Sequence, residues 1–306
     1  MTHFTHNGGI RIAFEDLGGS GGDPLLLVMG LGTSRFWWPD GLVGTLVRRG
    51  FHVVAYDQRD AGESSRLPDR PVGPPLKALL HRTAPAYSTE DMTDDAIAVL
   101  DAVGWDRAHL FGHSMGGLLA QRIAIRHPHR TLSITTSSAV PSDARGLRVL
   151  RHLRPTTLVR FARLHHPDSP QGNLDLALAI ARILAAPGQS IGEPDVQELV
   201  AKEAEHSVTS FRDQRAQSRQ IGAKWQGGPL SRITAPTLVL HGEQDPLLRV
   251  SAARDIAAAV PGSRLVILPG VGHFLARGSW PRYAAEVRTL ADRAAQNPPV
   301  IPATQR

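Results

Sequence analysis

The sequence predicts an α/β fold, with helices on both faces of a mostly parallel sheet and a helical insert in the middle of the chain. Short apolar runs alternate with helical patterns, and continuous apolar runs are typical of parallel strands buried on both faces. The alternation stops after Val140 and resumes at Ile233, which indicates the insert. A chain of 306 residues, 42% hydrophobic and 20% charged, is long enough for one large core domain with such an insert.

The predicted strands follow in chain order. The turn signal Asn7-Gly8-Gly9 precedes the run IRIAFEDLG and predicts an N-terminal hairpin. Six further strands are predicted at 24–30, 51–57, 108–114, 133–140, 236–245 and 263–270. With the two strands of the hairpin, these runs make an eight-stranded sheet.

Helical patterns lie between these strands, in PDGLVGTLVRRG, STEDMTDDAIAVLDAVG and SAARDIAAAVPG. The second pattern starts at Ser88, has acidic residues in its first turn and ends at Gly104. These are the start and stop signals of a capped helix.

The insert, residues 141–230, contains helical patterns and no convincing strand. We therefore expect a helical cap over a core formed by 1–140 and 231–295, followed by a disordered, Pro-rich tail at 296–306. The segment LDLALAIARILAA is apolar almost all round, which indicates burial or a face turned to a ligand. Leu178 and Ile180 are its candidate pocket residues.

Composition narrows the function. The chain has no cysteine, which excludes disulfides, thiolate nucleophiles and Cys-based metal sites. No secretory signal and no membrane-length apolar run is present, so we expect a cytoplasmic protein without stable membrane insertion. The formal charge of +6 comes almost wholly from arginine, and no nucleic-acid motif accompanies it, so we expect no nucleic-acid partner. The arginine-rich start of the insert fits a solvated face of the cap or, alternatively, a contact with an anionic surface.

A serine lies in a Gly-rich turn between a predicted strand and a predicted helix. In the segment Gly112-His113-Ser114-Met115-Gly116, both positions two residues from Ser114 are glycine. A turn this tight strains the serine backbone, and larger side chains at those two positions would clash. The helix that follows directs unpaired N–H groups at the hydroxyl. The pattern predicts a nucleophilic serine.

A serine needs a base to take its proton, and the base needs an orienting carboxylate. His273 lies in a Gly-flanked loop after the last predicted strand, and Asp245 follows the strand before it. The chain order Ser114, Asp245, His273 is the order expected for this kind of serine turn. Glu243 and Asp143 are competing candidates for the acid.

The motifs VMGLG, YDQRDAGES, GHSMGG, HGEQD and GVGHF occur in this order along nearly the whole chain. With them, the chain resembles the α/β-hydrolase superfamily, serine esterase type. The resemblance implies the α/β-hydrolase fold and an oxyanion hole formed by the backbone N–H groups of Leu31 and Met115. Met29 stands where the family usually has histidine, a change of small consequence for donors on the main chain.

The motif YDQRDAGES matches the family pattern at Asp57, Arg59, Gly62 and Ser64, but Asp60 replaces a glycine. We interpret Arg59 and Asp60 as parts of a salt-linked turn beneath the site. Together with VMGLGTSRFWWPD, the motif resembles the anthracycline (aclacinomycin) methylesterase-like branch, whose members hydrolyse a carboxylic methyl ester on a polyketide.

Three consecutive aromatic residues, Phe36, Trp37 and Trp38, follow the predicted oxyanion loop. They fit an aromatic wall for a flat substrate and, equally, packing of the helix that follows.

The sequence thus predicts a serine hydrolase that cleaves a carboxylic ester, such as a methyl ester of an aromatic polyketide or another bulky apolar ester, through an acyl-enzyme. This chemistry needs no metal and no cofactor. A cofactor-free haloperoxidase, a lactonase or a carbon–carbon bond hydrolase would use the same triad. An alternative of another class is a non-catalytic receptor or carrier for a small ligand. The oligomeric state stays open.

Overall fold

The computed structural model describes residues 1–67, 85–144 and 147–296. Its eight strands form one sheet in the order β1-β2-β4-β3-β5-β6-β7-β8, in which the pairs β1–β2 and β2–β4 are antiparallel and the other five pairs are parallel. The strands are β1 His3–Asn7, β2 Ile10–Asp16, β3 Asp23–Val28, β4 Phe51–Tyr56, β5 Ala108–His113, β6 Thr131–Ser137, β7 Thr237–Gly242 and β8 Arg264–Leu268. The predicted fold class and the N-terminal hairpin are confirmed.

Ten α-helices occur in the described residues. They are α1 Asp40–Arg48, α2 Thr89–Ala102, α3 Met115–Arg126, α4 Leu147–Leu150, α5 Pro155–Ala162, α6 Pro170–Leu184, α7 Glu193–Glu205, α8 Gln214–Gly222, α9 Val250–Ala259 and α10 Trp280–Gln296. The capping signal at Ser88 is confirmed, because its hydroxyl accepts from the Asp91 N–H while the Asp91 carboxylate accepts from the Ser88 N–H.

Hydrophobic side chains cover both faces of the sheet. One cluster joins the sheet to α1 and α10, and a second joins it to α2, α3 and α9. The central strands are buried on both faces, as predicted. In the edge strand β8, by contrast, Arg264 to Ile267 are only half-buried. An edge strand is more exposed because it has a neighbouring strand on one side only.

The cap segment, residues 141–230, contains α4 to α8 and no β-strand among its described residues. Its apolar side chains Leu178, Ala181, Val196 and Leu199 belong to the same hydrophobic cluster as α1 and α10. The cap segment is therefore continuous with the core packing on that face. Of the tail predicted to be disordered, Gln296 ends α10, and 297–306 lie outside the described residues.

Candidate active site

Ser114 lies at the junction of β5 and α3 and has an unusual backbone conformation. Its φ is +55° and its ψ is −122°, a region that non-glycine residues rarely occupy. A Cβ at Gly112 would come within 2.1 Å of the Gly116 carbonyl oxygen, and one at Gly116 within 1.9 Å of the Val28 oxygen. Both glycines are required by this close approach, as the sequence predicts, and the turn presents the serine hydroxyl at the carboxyl end of the sheet.

The structure brings the three predicted triad residues together. His273 Nε2 lies 3.0 Å from Ser114 Oγ, and His273 Nδ1 lies 2.7 Å from Asp245 Oδ2. The histidine ring therefore bridges hydroxyl and carboxylate with opposite nitrogens. This geometry lets the imidazole accept the serine proton while the carboxylate fixes its orientation.

The carboxylate of Asp245 is buried and fully engaged. Its Oδ1 accepts 2.8 Å hydrogen bonds from the N–H groups of Leu247 and Leu248. Burial opposes the charged form, but the adjacent His273 and these hydrogen bonds hold the pKa of Asp245 below its usual range. The carboxylate is thus kept ionised beside the histidine.

Two further histidines flank the triad. The ring of His113 lies 5.1 Å from that of His273, and burial, followed by the effect of His273, lowers the pKa of His113 to about 3. His241 is buried with its Nε2 3.8 Å from Asp245 Oδ2 and 3.3 Å from the Leu248 carbonyl oxygen. Burial lowers its pKa as well. Both imidazoles are therefore neutral at pH 7 and add no competing charge.

The competing acids lie away from the histidine. Asp143 accepts a 3.4 Å hydrogen bond from the Leu230 N–H. Glu243 is exposed, although it follows the same strand as Asp245. Of the three carboxylates, only Asp245 contacts His273.

The predicted oxyanion loop lies beside the serine. A Cβ at Gly30 would be 3.3 Å from Ser114 Cβ, so the Gly30–Leu31 peptide borders the hydroxyl. Met115 is the first residue of α3, where N–H groups have no partner within the helix. The Met29 side chain is buried, and its carbonyl accepts from the Gln58 amide. The backbone of this loop therefore lies next to the serine.

The three aromatic residues take different positions. Trp38 packs against Phe111 of β5 with ring centroids 5.0 Å apart. Trp37 packs edge-on against Phe211 at 4.8 Å and donates a 3.0 Å hydrogen bond to Glu203. The structure therefore favours packing over the wall interpretation for Trp38, and it ties Trp37 to the cap segment.

Phe36 is likewise engaged by neighbours. The Arg35 guanidinium lies 4.2 Å from its ring centroid, and the His206 ring lies 4.6 Å from it. The residue is 8% exposed, so packing is the interpretation that its contacts favour.

The two predicted pocket residues of α6 also differ. Leu178 belongs to the hydrophobic cluster that includes α1 and α10. Ile180 is 3% exposed but belongs to neither hydrophobic cluster of the described residues.

The cap segment contacts the loops that carry His273, Asp245 and the predicted oxyanion residue Leu31. The Leu184 carbonyl, at the end of α6, accepts from the N–H groups of His273 (2.7 Å) and Phe274 (3.0 Å). Arg154, before α5, donates a 3.0 Å hydrogen bond to the Asp245 carbonyl.

On the oxyanion side, Gln220 of α8 accepts a 3.0 Å hydrogen bond from the Gly32 N–H. Sequence reasoning missed these contacts, because neither a main-chain carbonyl nor a glutamine in a helix carries a recognisable motif.

No group of three or more His, Asp or Glu side chains in the described ranges is arranged to hold a metal ion. No helix within those ranges is both long and apolar enough to cross a bilayer.

Comparison with known proteins supports the resemblance seen in the motifs. Residues 23–276 match the family model of the alpha/beta hydrolase fold. A rhodomycin D methylesterase of Streptomyces peucetius is 29% identical over 291 residues, which cover 90% of this chain and 92% of that protein. A putative carbamate hydrolase of Variovorax paradoxus is 29% identical over 266 residues, with 85% and 88% covered.

Among solved structures, a putative aryl esterase from Burkholderia cenocepacia superposes with a TM-score of 0.71. The two sequences are 17% identical, and the matched region covers 97% of this chain and 100% of the esterase chain. At this identity the likeness concerns the fold alone.

Proposed function

The chain belongs to the α/β-hydrolase fold family and is a hydrolase, and from this premise we propose that it cleaves carboxylic esters through an acyl-enzyme. Ser114 Oγ attacks the ester carbonyl while His273 Nε2 takes its proton. The N–H groups of Leu31 and Met115 stabilise the oxyanion. His273 returns the proton to the leaving alcohol, and a water molecule, activated in the same way, releases the acid.

One observation carries the proposal: the hydrogen-bonded series from Ser114 through His273 to Asp245, with distances of 3.0 and 2.7 Å. A receptor or carrier needs neither a strained serine turn nor a buried carboxylate behind the histidine. Backbone strain and burial of a charged group both lower stability, and such costs are typically retained where function requires them. The series therefore supports an enzyme over a ligand-binding module.

We propose a bulky, apolar methyl ester as the substrate class. The similarity to a rhodomycin D methylesterase supports the ester and its methyl group. The apolar sequence of helix α6, Pro170–Leu184, supports an apolar body for the substrate. In this proposal residues 141–230 are the cap that determines specificity, over a core of 1–140 and 231–295.

A carbamate is a second candidate substrate, because a putative carbamate hydrolase is as similar in identity as the methylesterase. Its carbonyl would be attacked in the same way, and only the leaving and acyl groups differ. A lactone would likewise fit the same acyl chemistry.

The test compares the turnover of three substrates: methyl naphthoate, methyl acetate and the methyl carbamate that carries an N-naphthyl group. We expect turnover of the naphthoate ester above both others, and stoichiometric labelling of Ser114 by a fluorophosphonate. Ser114→Ala is the control and should neither label nor turn over. If the carbamate is turned over fastest, carbamates replace methyl esters as the proposed substrate class. If the protein is neither labelled nor active on any of the three substrates, the proposed serine hydrolase activity is wrong.

A further inference from the structure

The oxyanion loop, residues 30–34, is held mainly from the cap segment. The Gly32 N–H donates to the Gln220 side chain, and the Gly32 carbonyl accepts a 3.0 Å hydrogen bond from the Phe211 N–H. The Ser34 N–H donates to Ser210 Oγ at 3.0 Å. Three polar contacts, two at Gly32 and one at Ser34, thus join one short loop of the core to α8 and the turn before it.

Gln220 makes the most specific of these contacts. Its Oε1 accepts from the Gly32 N–H at 3.0 Å, and its Nε2 donates to the Arg59 carbonyl at 2.9 Å. The residue is 4% exposed. A buried amide with both ends engaged is held in one orientation. It therefore fixes the Gly32 peptide relative to the turn that follows β4.

The position of Gly32 determines the position of Leu31. On one side of Leu31, Gly30 borders Ser114, and its carbonyl accepts a 2.9 Å hydrogen bond from Thr33 Oγ1. On the other side, Gly32 has a φ of +64°, which glycine adopts without strain. The loop can therefore change direction at Gly32, and its hydrogen bonds to the cap segment determine which direction it takes.

We propose that Gln220 is a positioning residue of the hydrolase, which aims the Leu31 N–H at the oxyanion through the Gly32 peptide. The inference rests on the proposed serine hydrolase function. It makes the cap segment part of the catalytic machinery as well as a cover for substrate. A donor displaced by about 1 Å costs on the order of 100-fold in rate, and a lost oxyanion donor costs on the order of 10²–10³-fold in kcat.

The matched variants are Gln220→Met and Gln214→Met. Both remove an amide from α8 at nearly constant volume. Gln214, the first residue of α8, is exposed, so its variant controls for the loss of an amide from the same helix. Active sites are counted by fluorophosphonate labelling, and kcat, KM and the Ki of phenylboronic acid are measured per labelled site. The boronic acid forms a tetrahedral adduct with the serine that uses the oxyanion hole.

We expect kcat of Q220M to fall roughly 10- to 100-fold and the Ki of the boronic acid to rise by a similar factor, with KM nearly unchanged. Q214M should keep the wild-type values. If Q220M does not fold, Gln220→Asn gives the same test, because its amide is one methylene too short to bridge Gly32 and Arg59.

A purely structural role for Gln220 predicts fewer labelled sites or a lower Tm, with unchanged kcat and Ki per site. That result would overturn the inference while leaving the serine hydrolase intact. Failure of the wild-type protein to label or turn over esters would instead overturn the proposed function.

Discussion

Asp60, in the turn after β4, forms two hydrogen bonds with the guanidinium of Arg219 on α8, at 2.7 and 2.9 Å. Both side chains are buried. The turn is salt-linked, as expected, but not internally: Arg59 pairs instead with Asp95 on α2, through two 2.6 Å hydrogen bonds. Asp60 has a φ of +66°, which explains why relatives with the family pattern have glycine there. The aspartate has a strained backbone, but its side chain forms an ion pair that holds Arg219 of the cap segment.

Asp60→Gly should therefore lower stability, although glycine fits the backbone better. The change leaves Arg219 buried without its carboxylate, which should lower the free energy of unfolding by about 3 kcal/mol. Relief of the backbone strain at position 60 should offset about 1 kcal/mol of that loss. Urea unfolding measures the difference. The double variant Asp60→Gly/Arg219→Met should recover most of the loss, whereas a single variant more stable than wild type would show that the ion pair contributes nothing.

Ser114→Ala and Ser114→Gly should both lose activity, by on the order of 10⁴-fold or more in ester turnover. Their stabilities should differ. Alanine keeps the strained φ of +55°, while glycine relieves it, so the glycine variant should be more stable by about 1 kcal/mol. Calorimetry and steady-state kinetics on the same samples test both points, and appreciable turnover by either variant would remove Ser114 from its assigned role.

Asp245→Asn should reduce turnover by on the order of 10⁴-fold, because an amide at this position favours the wrong histidine tautomer. Asp143→Asn is the matched control and should retain activity, since that carboxylate contacts the Leu230 N–H rather than His273. Steady-state kinetics of the two variants show whether Asp245 or Asp143 is the acid that orients His273. The reverse outcome would move the acid to the strand end after β6.

Stability should fall in acid partly because of His113. In the unfolded chain its imidazole has the ordinary pKa of 6.5, while in the folded protein it takes no proton until about pH 3. The unfolded state therefore binds more protons between these values, and stability declines as the pH is lowered through this window. His113→Asn should make the decline shallower, by about 1.4 kcal/mol per pH unit near the middle of the window.

Urea unfolding at pH 6.5, 5.5 and 4.5 measures that slope. His165→Asn, at an exposed position, controls for the loss of an imidazole. An identical slope in His113→Asn and wild type would show that the buried ring is not what couples folding to pH.

Leu178→Ala and Ile180→Ala should behave differently. Leu178 is part of the large hydrophobic cluster, so its truncation should cost about 2–4 kcal/mol of stability and change KM equally for bulky and small esters. Ile180→Ala should raise KM for a naphthoate ester more than for an acetate ester. Equal KM changes in both variants would indicate that α6 is structural throughout.

The sequence by itself determined the parts of this protein that are encoded locally. Continuous apolar runs predicted the strands because parallel strands are buried on both faces. The spacing of Gly112 and Gly116 predicted the serine turn because only glycine fits two residues from the strained position. The order of Ser114, Asp245 and His273 at successive strand ends predicted their meeting, because parallel strands bring their carboxyl ends to one edge.

The tertiary structure decided what local patterns do not encode. Asp60 and Arg219 are 159 residues apart in the chain, and Gly32 and Gln220 are 188 apart. Such pairs form only once the cap segment has a fixed position on the core. The same positioning joins Trp37 to Glu203 and the end of α6 to the His273 loop. Contacts of this kind depend on the relative placement of elements, and neither hydrophobic periodicity nor motif spacing carries that information.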